Sequence, residues 1–438
     1  MVMRSPLIII ISLFIWSLQS IDTLEIWSVY FDETQEFIHN EVNQSDNRLI
    51  RQIVNIPFDN DDKDDQQIRY INEIRTYIEN PNEIIRMELI LCDEINNDDD
   101  DDQMILEELL FTNENQTKFL CIQRLAAIKW PNIEHNQTLI QYPSNIGIAF
   151  NHYQSPEKSL PKQTLLLSIE YSNDFKQIID QSGFDLYLFD QTEINIEAGI
   201  IAVGFVPDSF FFLPPKLNHW SMKGVCKANN CIQNTIENEI QILSVVLGTN
   251  HHYLDEINVE IIDQQHKRRQ QIFHHKNGQQ KTFEMLIETP TVRAMDKIIV
   301  ECNYINTSNR TVRAGLENGD KNENCLVWLH YYPRIIGMDA CLSTHSLATI
   351  ISLLDIHNLD VSLTRSNGID LRISDNDNHH GKHKQLNLDE FLNKKDQNQD
   401  WNQDKLIRAK YNSIKGKQIS KCGWNPMQID LNHRRRRR

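Results

Sequence analysis

The sequence predicts an all-β protein built from β-sandwiches, and three observations carry that expectation. Short apolar segments bounded by polar turns follow one another through the middle of the chain, at 165–171, 184–189, 198–205, 240–247, 259–262, 298–302 and 325–331. Several alternate apolar with polar side chains, the period-two pattern of a half-buried strand. No regular helical pattern intervenes between them, which argues against a βαβ sheet. Only 343–354 reads as a helix. No unit of 20–50 residues repeats, so a solenoid is excluded.

The 438 residues leave room for two or three domains. With 40% apolar and 24% charged residues the chain is not wholly disordered, and only 14 glycines exclude a glycine-rich fibre. The formal net charge of −17 would repel phosphate over most of the surface, so no general nucleic-acid partner is expected.

In order along the chain, Arg4 precedes the apolar run 7–16, which ends near Ser17–Ser20. Residues 1–20 therefore read as a secretory signal peptide, with an uncleaved anchor as the other reading. The run is short for a transmembrane helix, and no later segment offers eighteen unbroken apolar residues, so no membrane span is expected after cleavage. The expected location is secreted or in a secretory lumen. Residues 21–45 form a short acidic leader. The first folded region, 46–197, is interrupted by acidic insertions at Asp59–Asp65 and Asp98–Asp102. The second lacks the ligand spacing and glycine of a calcium loop, so it reads as a solvated insertion. After 345 the strand pattern fades. Residues 346–438 read as a polar, partly disordered C-terminal extension ending in the run Arg434–Arg438.

The chain has eight cysteines, Cys92, Cys121, Cys226, Cys231, Cys302, Cys325, Cys341 and Cys422. An even number in an oxidising compartment suggests four disulfides, whose connectivity spacing alone leaves open. No C-x-x-C pair is present, which argues against a zinc ribbon. Sequons at Asn43, Asn115, Asn136, Asn306 and Asn309 fit a secreted glycoprotein. His379, His380 and His383 could chelate a divalent ion but lie in polar, low-complexity sequence. His274 and His275 read as surface residues, and Lys267–Arg269 as a solvated charge run, a processing site or an anion-seeking patch.

Four segments together, Gln181–Tyr187, Glu197–Ile201, Asp296–Tyr304 and Glu323–Arg334, resemble the copper type II, ascorbate-dependent monooxygenases, the dopamine β-monooxygenase-like branch in particular. Tyr142–Phe150 and Leu213–Pro215 fall in the same order. The likeness spans about 47–425 and is strongest over 164–345; the DOMON domain of that branch is expected to be absent. The resemblance implies two tandem jelly-roll-like sandwiches, 46–197 and 198–345, each with a copper site on its inner face. It also implies the pairs Cys92–Cys121, Cys226–Cys341, Cys231–Cys422 and Cys302–Cys325. Arg51 stands where one cysteine of a further family bridge would be.

Position by position, the resemblance implies degenerate copper sites. The electron-supplying copper takes three imidazoles, and Ile85, Arg86 and Glu170 stand at those places. The oxygen-binding copper takes a His-x-His and a Met. The segment Gly248–Leu254 occupies the first place, with Thr249 and His251 at the ligand positions, or Asn250 and His252 if shifted by one residue. Asn324 replaces the Met. Imidazole suits both copper oxidation states and a thioether suits Cu(I), whereas an amide oxygen is a hard, weak donor. His251, His252 and Asn324 are thus the candidate metal residues. Two readings follow. One is a secreted pseudoenzyme that binds an unknown ligand and holds copper weakly or not at all. The other is an active monooxygenase that hydroxylates a small amine with copper, ascorbate and oxygen. No Ser/His/Asp triad, P-loop or dinucleotide fingerprint is visible.

Overall fold

A computed structural model describes residues 25–30, 48–54, 69–95, 110–112, 118–129, 134–150, 163–172, 180–190, 192–207, 211–232, 239–248, 252–277, 282–314, 322–356, 359–363, 369–374, 385–386, 388–397 and 401–422. Strands dominate it. A five-stranded antiparallel sheet runs, in spatial order, Arg48–Val54, Gln163–Tyr171, Ile84–Ile95, Lys118–Lys129 and Leu110–Thr112. Alternate residues of these strands, among them Met87, Leu89, Leu167 and Ile169, are fully buried against Ile71, Ile74, Phe184 and Leu186 of a second sheet. That sheet contains Glu25–Tyr30, Gly183–Asp190, Arg69–Tyr77 and Ile146–Phe150. Removing each such side chain from water contributes about 1.5–3 kcal/mol.

The strand Ile196–Phe205 carries the chain from one half to the other. Ile196–Ala198 pair in parallel with Ile146–Ile148, and Gly199–Phe205 pair antiparallel with Cys325–Tyr331. Glu239–Leu247 and Ala340–His345 complete this middle layer. Its two faces belong to two cores. Ile201, Val203, Phe205, Val327 and Leu329 pack toward the four-stranded sheet of Leu217–Lys227, Lys297–Asn306, Leu254–Asp263 and Arg268–Lys276. Ile200, Ala202, Leu326, Trp328 and Leu342 join the first core. Burial on both sides explains why 198–205 reads as an almost unbroken apolar run rather than an alternating one. Where Leu217–Lys227 crosses this layer, Gly224 lies against the backbone of Gly204, whose φ is +151°. A Cβ on Gly224 would overlap that backbone, so only glycine allows the approach.

Four disulfides join Cys92 to Cys121, Cys226 to Cys341, Cys231 to Cys422 and Cys302 to Cys325, the pairing that the resemblance implies. Tyr332–Pro333 is a cis peptide. Among the described residues no helix is long and apolar enough to cross a membrane.

Three expectations are corrected. The leader 21–45 is not only leader: Glu25–Tyr30 is an edge strand paired with Gly183–Leu188, and Val29 is buried. Nor does the second domain end at 345. Helices Leu347–Leu354, Leu388–Gln397 and Gln403–Lys415 follow, and the strand Gln418–Cys422 pairs with Leu342–His345. The polar sequence of 403–415 concealed a helix that is capped by Asn402, whose Oδ1 accepts from the Lys405 N–H at 3.0 Å. It docks through the Ser413 hydroxyl, which donates to the Ser221 carbonyl at 2.9 Å. Asn306, finally, is not an open glycan acceptor. It is fully buried, and its Nδ2 donates to the carbonyls of Leu213, Pro214 and Arg310. Asn136 and Asn309 are exposed. Asn43, Asn115, residues 1–20, the acidic run 98–102, His379–His383 and Arg434–Arg438 lie outside the described residues.

Candidate functional site

The three residues expected around the first site lie on two neighbouring strands. Arg86 on Ile84–Ile95 stands directly opposite Glu170 on Gln163–Tyr171, and the Arg86 Nε donates to a Glu170 carboxylate oxygen. The pair is sheltered, with the Arg86 side chain 7% exposed and that of Glu170 16%. Ile85 sits where the register of this pairing slips, between Ile84 and Arg86, and is half-buried. Across the other side of the same strand, Lys129 is the register partner of Arg86. Lys129, Arg86 and Glu170 thus form one row across three strands. Burial and the Arg86 cation hold the Lys129 ammonium below its usual range, while Glu170 and Glu323 act to raise it. One step along the sheet lies a second buried pair, Arg124 with Glu88 at 3.1 Å.

In the second half Thr249, Asn250 and His251 lie outside the described residues. His252 is described, and it is brought to Asn324 through an intermediary. The fully buried Glu323 accepts from the His252 N–H at 3.0 Å and the Tyr253 N–H at 2.8 Å with one oxygen. Its other oxygen accepts from the Asn324 N–H at 3.2 Å. The Asn324 carbonyl accepts from the Tyr304 hydroxyl at 2.7 Å, and the adjacent Cys325 is bridged to Cys302. One carboxylate therefore ties the turn that bears His252 to the strand that bears Asn324. Partial desolvation holds the His252 imidazole below the usual histidine range. Glu323 opposes that shift, and Arg86 and Lys129 add to it. Lys129 and His252 thus each feel Arg86, Glu170 and Glu323, charges drawn from both halves of the molecule.

Sequence reasoning missed Glu323, Lys129 and the Arg124–Glu88 pair. Glu323 was visible only as the residue before Asn324. Lys129 becomes relevant through strand register, which the sequence does not display. His274 and His275 are successive strand residues and so point to opposite faces, which prevents joint chelation. His274 instead meets Glu256 at 2.7 Å. Lys267–Arg269 form an exposed turn and strand start, with Arg269 3.7 Å from Glu260. Among the described residues the one close group of three potential metal donors is Cys226, Cys231 and Cys341, all of them in disulfides.

Beside these charges the two halves are fastened by buried and half-buried contacts. The Tyr142 hydroxyl meets His330 Nδ1 at 2.6 Å, and His330 Nε2 faces the Arg124 carbonyl at 3.3 Å. The Arg124 guanidinium lies 3.9 Å from the centre of the Trp328 ring. The Thr282 hydroxyl donates to the Ala127 carbonyl at 2.8 Å, and Gln123 donates to Asp339 at 3.2 Å.

Comparison with known proteins finds relatives of this sequence. Residues 196–352 match the profile described as "Copper type II ascorbate-dependent monooxygenase, C-terminal domain". The chain is 26% identical to "DBH-like monooxygenase protein 1" of Mus musculus, over 44% of this chain and 31% of that protein. It is 28% identical to "Dopamine beta-hydroxylase" of Rattus norvegicus, over 44% of this chain and 30% of that protein. With "MOXD1 homolog 2" of Drosophila melanogaster it shares 27% identity over 49% of this chain and 29% of that protein. The match spans about a third of the length of these curated relatives.

Proposed function

We propose that the chain, whose residues 196–352 match the C-terminal domain of the copper type II ascorbate-dependent monooxygenases, is a secreted pseudoenzyme of that family, a binding protein on a monooxygenase frame. The observation that carries this reading is the ion pair of Arg86 with Glu170. A guanidinium stays charged at any physiological pH and donates hydrogen bonds only, so it cannot ligate a cation and repels one. Where the family resemblance puts three imidazoles, this chain has a hydrocarbon, a cation and a carboxylate already engaged by that cation. The second site is no better supplied. His251 and His252 are adjacent imidazoles, Asn324 brings an amide, and no thioether stands beside Cys325. This donor set does not fit a copper that must cycle through Cu(I). The four disulfides fit an oxidising compartment, and the exposed Asn136 and Asn309 are the described sequons open to glycans.

Calorimetric titration of the purified chain with Cu(II), and with Cu(I) under reductant, tests the reading. The expected result is no saturable sub-micromolar binding. Sub-micromolar copper binding that disappears in His251→Ala or His252→Ala overturns it for the second domain. Such a result would favour the other reading, a copper monooxygenase that uses ascorbate and oxygen on a small amine.

A further inference from the structure

The C-terminal segment is fastened by Cys422, and its bridge touches another. The Sγ atoms of Cys226, Cys231 and Cys341 all lie within 4.8 Å of one another, so the bridges Cys226–Cys341 and Cys231–Cys422 are in contact. The two differ in access. Cys226 and Cys341 are 2% and 0% exposed, whereas Cys231 and Cys422 are both half-buried. The bridges Cys92–Cys121 and Cys302–Cys325 are buried at both ends. A thiol arriving from solvent therefore meets Cys231–Cys422 first. Cys231 is also held in place independently of Cys422. It sits on the short helix Asn229–Ile232, its N–H bonded to the Ala228 carbonyl at 3.0 Å, with Ile232 buried beside it.

We propose that Cys226, Cys231 and Cys341 form a thiol–disulfide exchange centre, which passes the inner bridge to Cys231 once the outer bridge opens and so releases Cys422. In the first step a dithiol, small molecule or protein, supplies two electrons and two protons and becomes a disulfide. The Cys231–Cys422 bond breaks and leaves two thiols. In the second step Cys231 loses its proton, and the thiolate attacks the Cys226 Sγ. A Cys231–Cys226 bond forms, the Cys226–Cys341 bond breaks, and the departing electron pair stays on Cys341, which takes up the proton. Attack at Cys341 instead leaves the thiol on Cys226. The second step consumes no reductant, and the number of disulfides stays at three. Cys422 can then rejoin Cys231 only by reversing the exchange, and Gln418–Cys422 keeps its pairing with Leu342–His345, the contacts of Ser420 with Lys227 and Asn230, and those of Gln418 with Ser343 and Lys223.

The full-length oxidised protein, treated with one molar equivalent of dithiothreitol, labelled with N-ethylmaleimide and mapped as peptides, tests this. The expected pattern is label on Cys422 and on Cys341 or Cys226, with Cys231 unlabelled and linked to the remaining member. Label on Cys231 and Cys422 with Cys226–Cys341 intact overturns the proposal. So does label appearing first at any other pair, or no label at all. The variant Cys422→Ser, purified without reductant, gives an independent reading. Its single thiol should be spread over Cys226, Cys231 and Cys341; a thiol confined to Cys231 contradicts exchange. The wild-type experiment stands even if that variant fails to fold.

Discussion

Tyr142 of the first half and His330 of the second meet at 2.6 Å, hydroxyl to Nδ1, with His330 completely buried. The tyrosine O–H donates, which leaves the His330 proton on Nε2, facing the Arg124 carbonyl. Burial pushes the His330 imidazole down to about 4. A second histidine, His345, is 2% exposed beside Phe205, and burial likewise pushes it down to about 4. Neither ring nitrogen of His345 has a hydrogen-bond partner among the described residues.

Acid should therefore destabilise the fold through these two groups. Both are neutral when folded and take up protons more readily when unfolded. The stability they contribute is fully present above about pH 6.5 and is lost as the pH falls toward 4. A shift of this size corresponds to at most about 3 kcal/mol per histidine. Thermal melts between pH 7.5 and 4.5 should show a falling Tm, and His345→Leu should flatten that fall. An unchanged slope in the variant would remove His345 from the account.

Removing one member of the sheltered Arg86–Glu170 pair takes from the other charge its opposite-charge partner across the strands. Arg86→Met alone should cost about 3 kcal/mol, and Arg86→Met with Glu170→Leu distinctly less. Denaturant unfolding of the two single variants and the double variant measures the coupling. Additive losses would mean that the pair does not act as one unit.

Glu323 should matter more than either candidate metal residue it touches. Glu323→Ala strips acceptors from the His252, Tyr253 and Asn324 amides and should cost about 2 kcal/mol, or more. The exposed His252→Ala should change stability by less than about 0.5 kcal/mol. Chemical denaturation checks both, and the reverse order would contradict the assigned role of Glu323.

Gly224→Ala should be among the most damaging single substitutions, because its Cβ would overlap the Gly204 backbone. A loss of more than about 4 kcal/mol, or failure to accumulate as folded protein, is expected. A folded variant with an unchanged melting temperature would mean that the two backbones are not in contact.

What the sequence made legible was mostly local. The strand 325–331 is found as Cys325–Tyr332, and 198–205 as Ile196–Phe205, because β-branched and aromatic runs between polar turns identify themselves. What was not legible depended on distant pairing. That 198–205 serves two cores follows from its neighbours, not from its composition. The helix at 403–415 is too polar to announce a buried face, and its anchoring to Ser221 is a tertiary fact. Asn306 carries a sequon that the sequence alone cannot distinguish from an exposed one. At the candidate site, Arg86 and Glu170 were nominated together by resemblance, and the register of two strands makes them partners. Lys129 and Glu323 required that register to be seen at all.

The measurement that tests the central claim most directly is ascorbate-dependent oxygen uptake by the purified chain after incubation with stoichiometric copper, alongside its bound copper content. With a cation at the first site and Asn324 in place of the thioether at the second, the expected result is no uptake above that of free copper, and no copper retained after gel filtration. Retention of two copper ions per chain, with oxygen consumed in step with product formed from a small amine, would contradict the account.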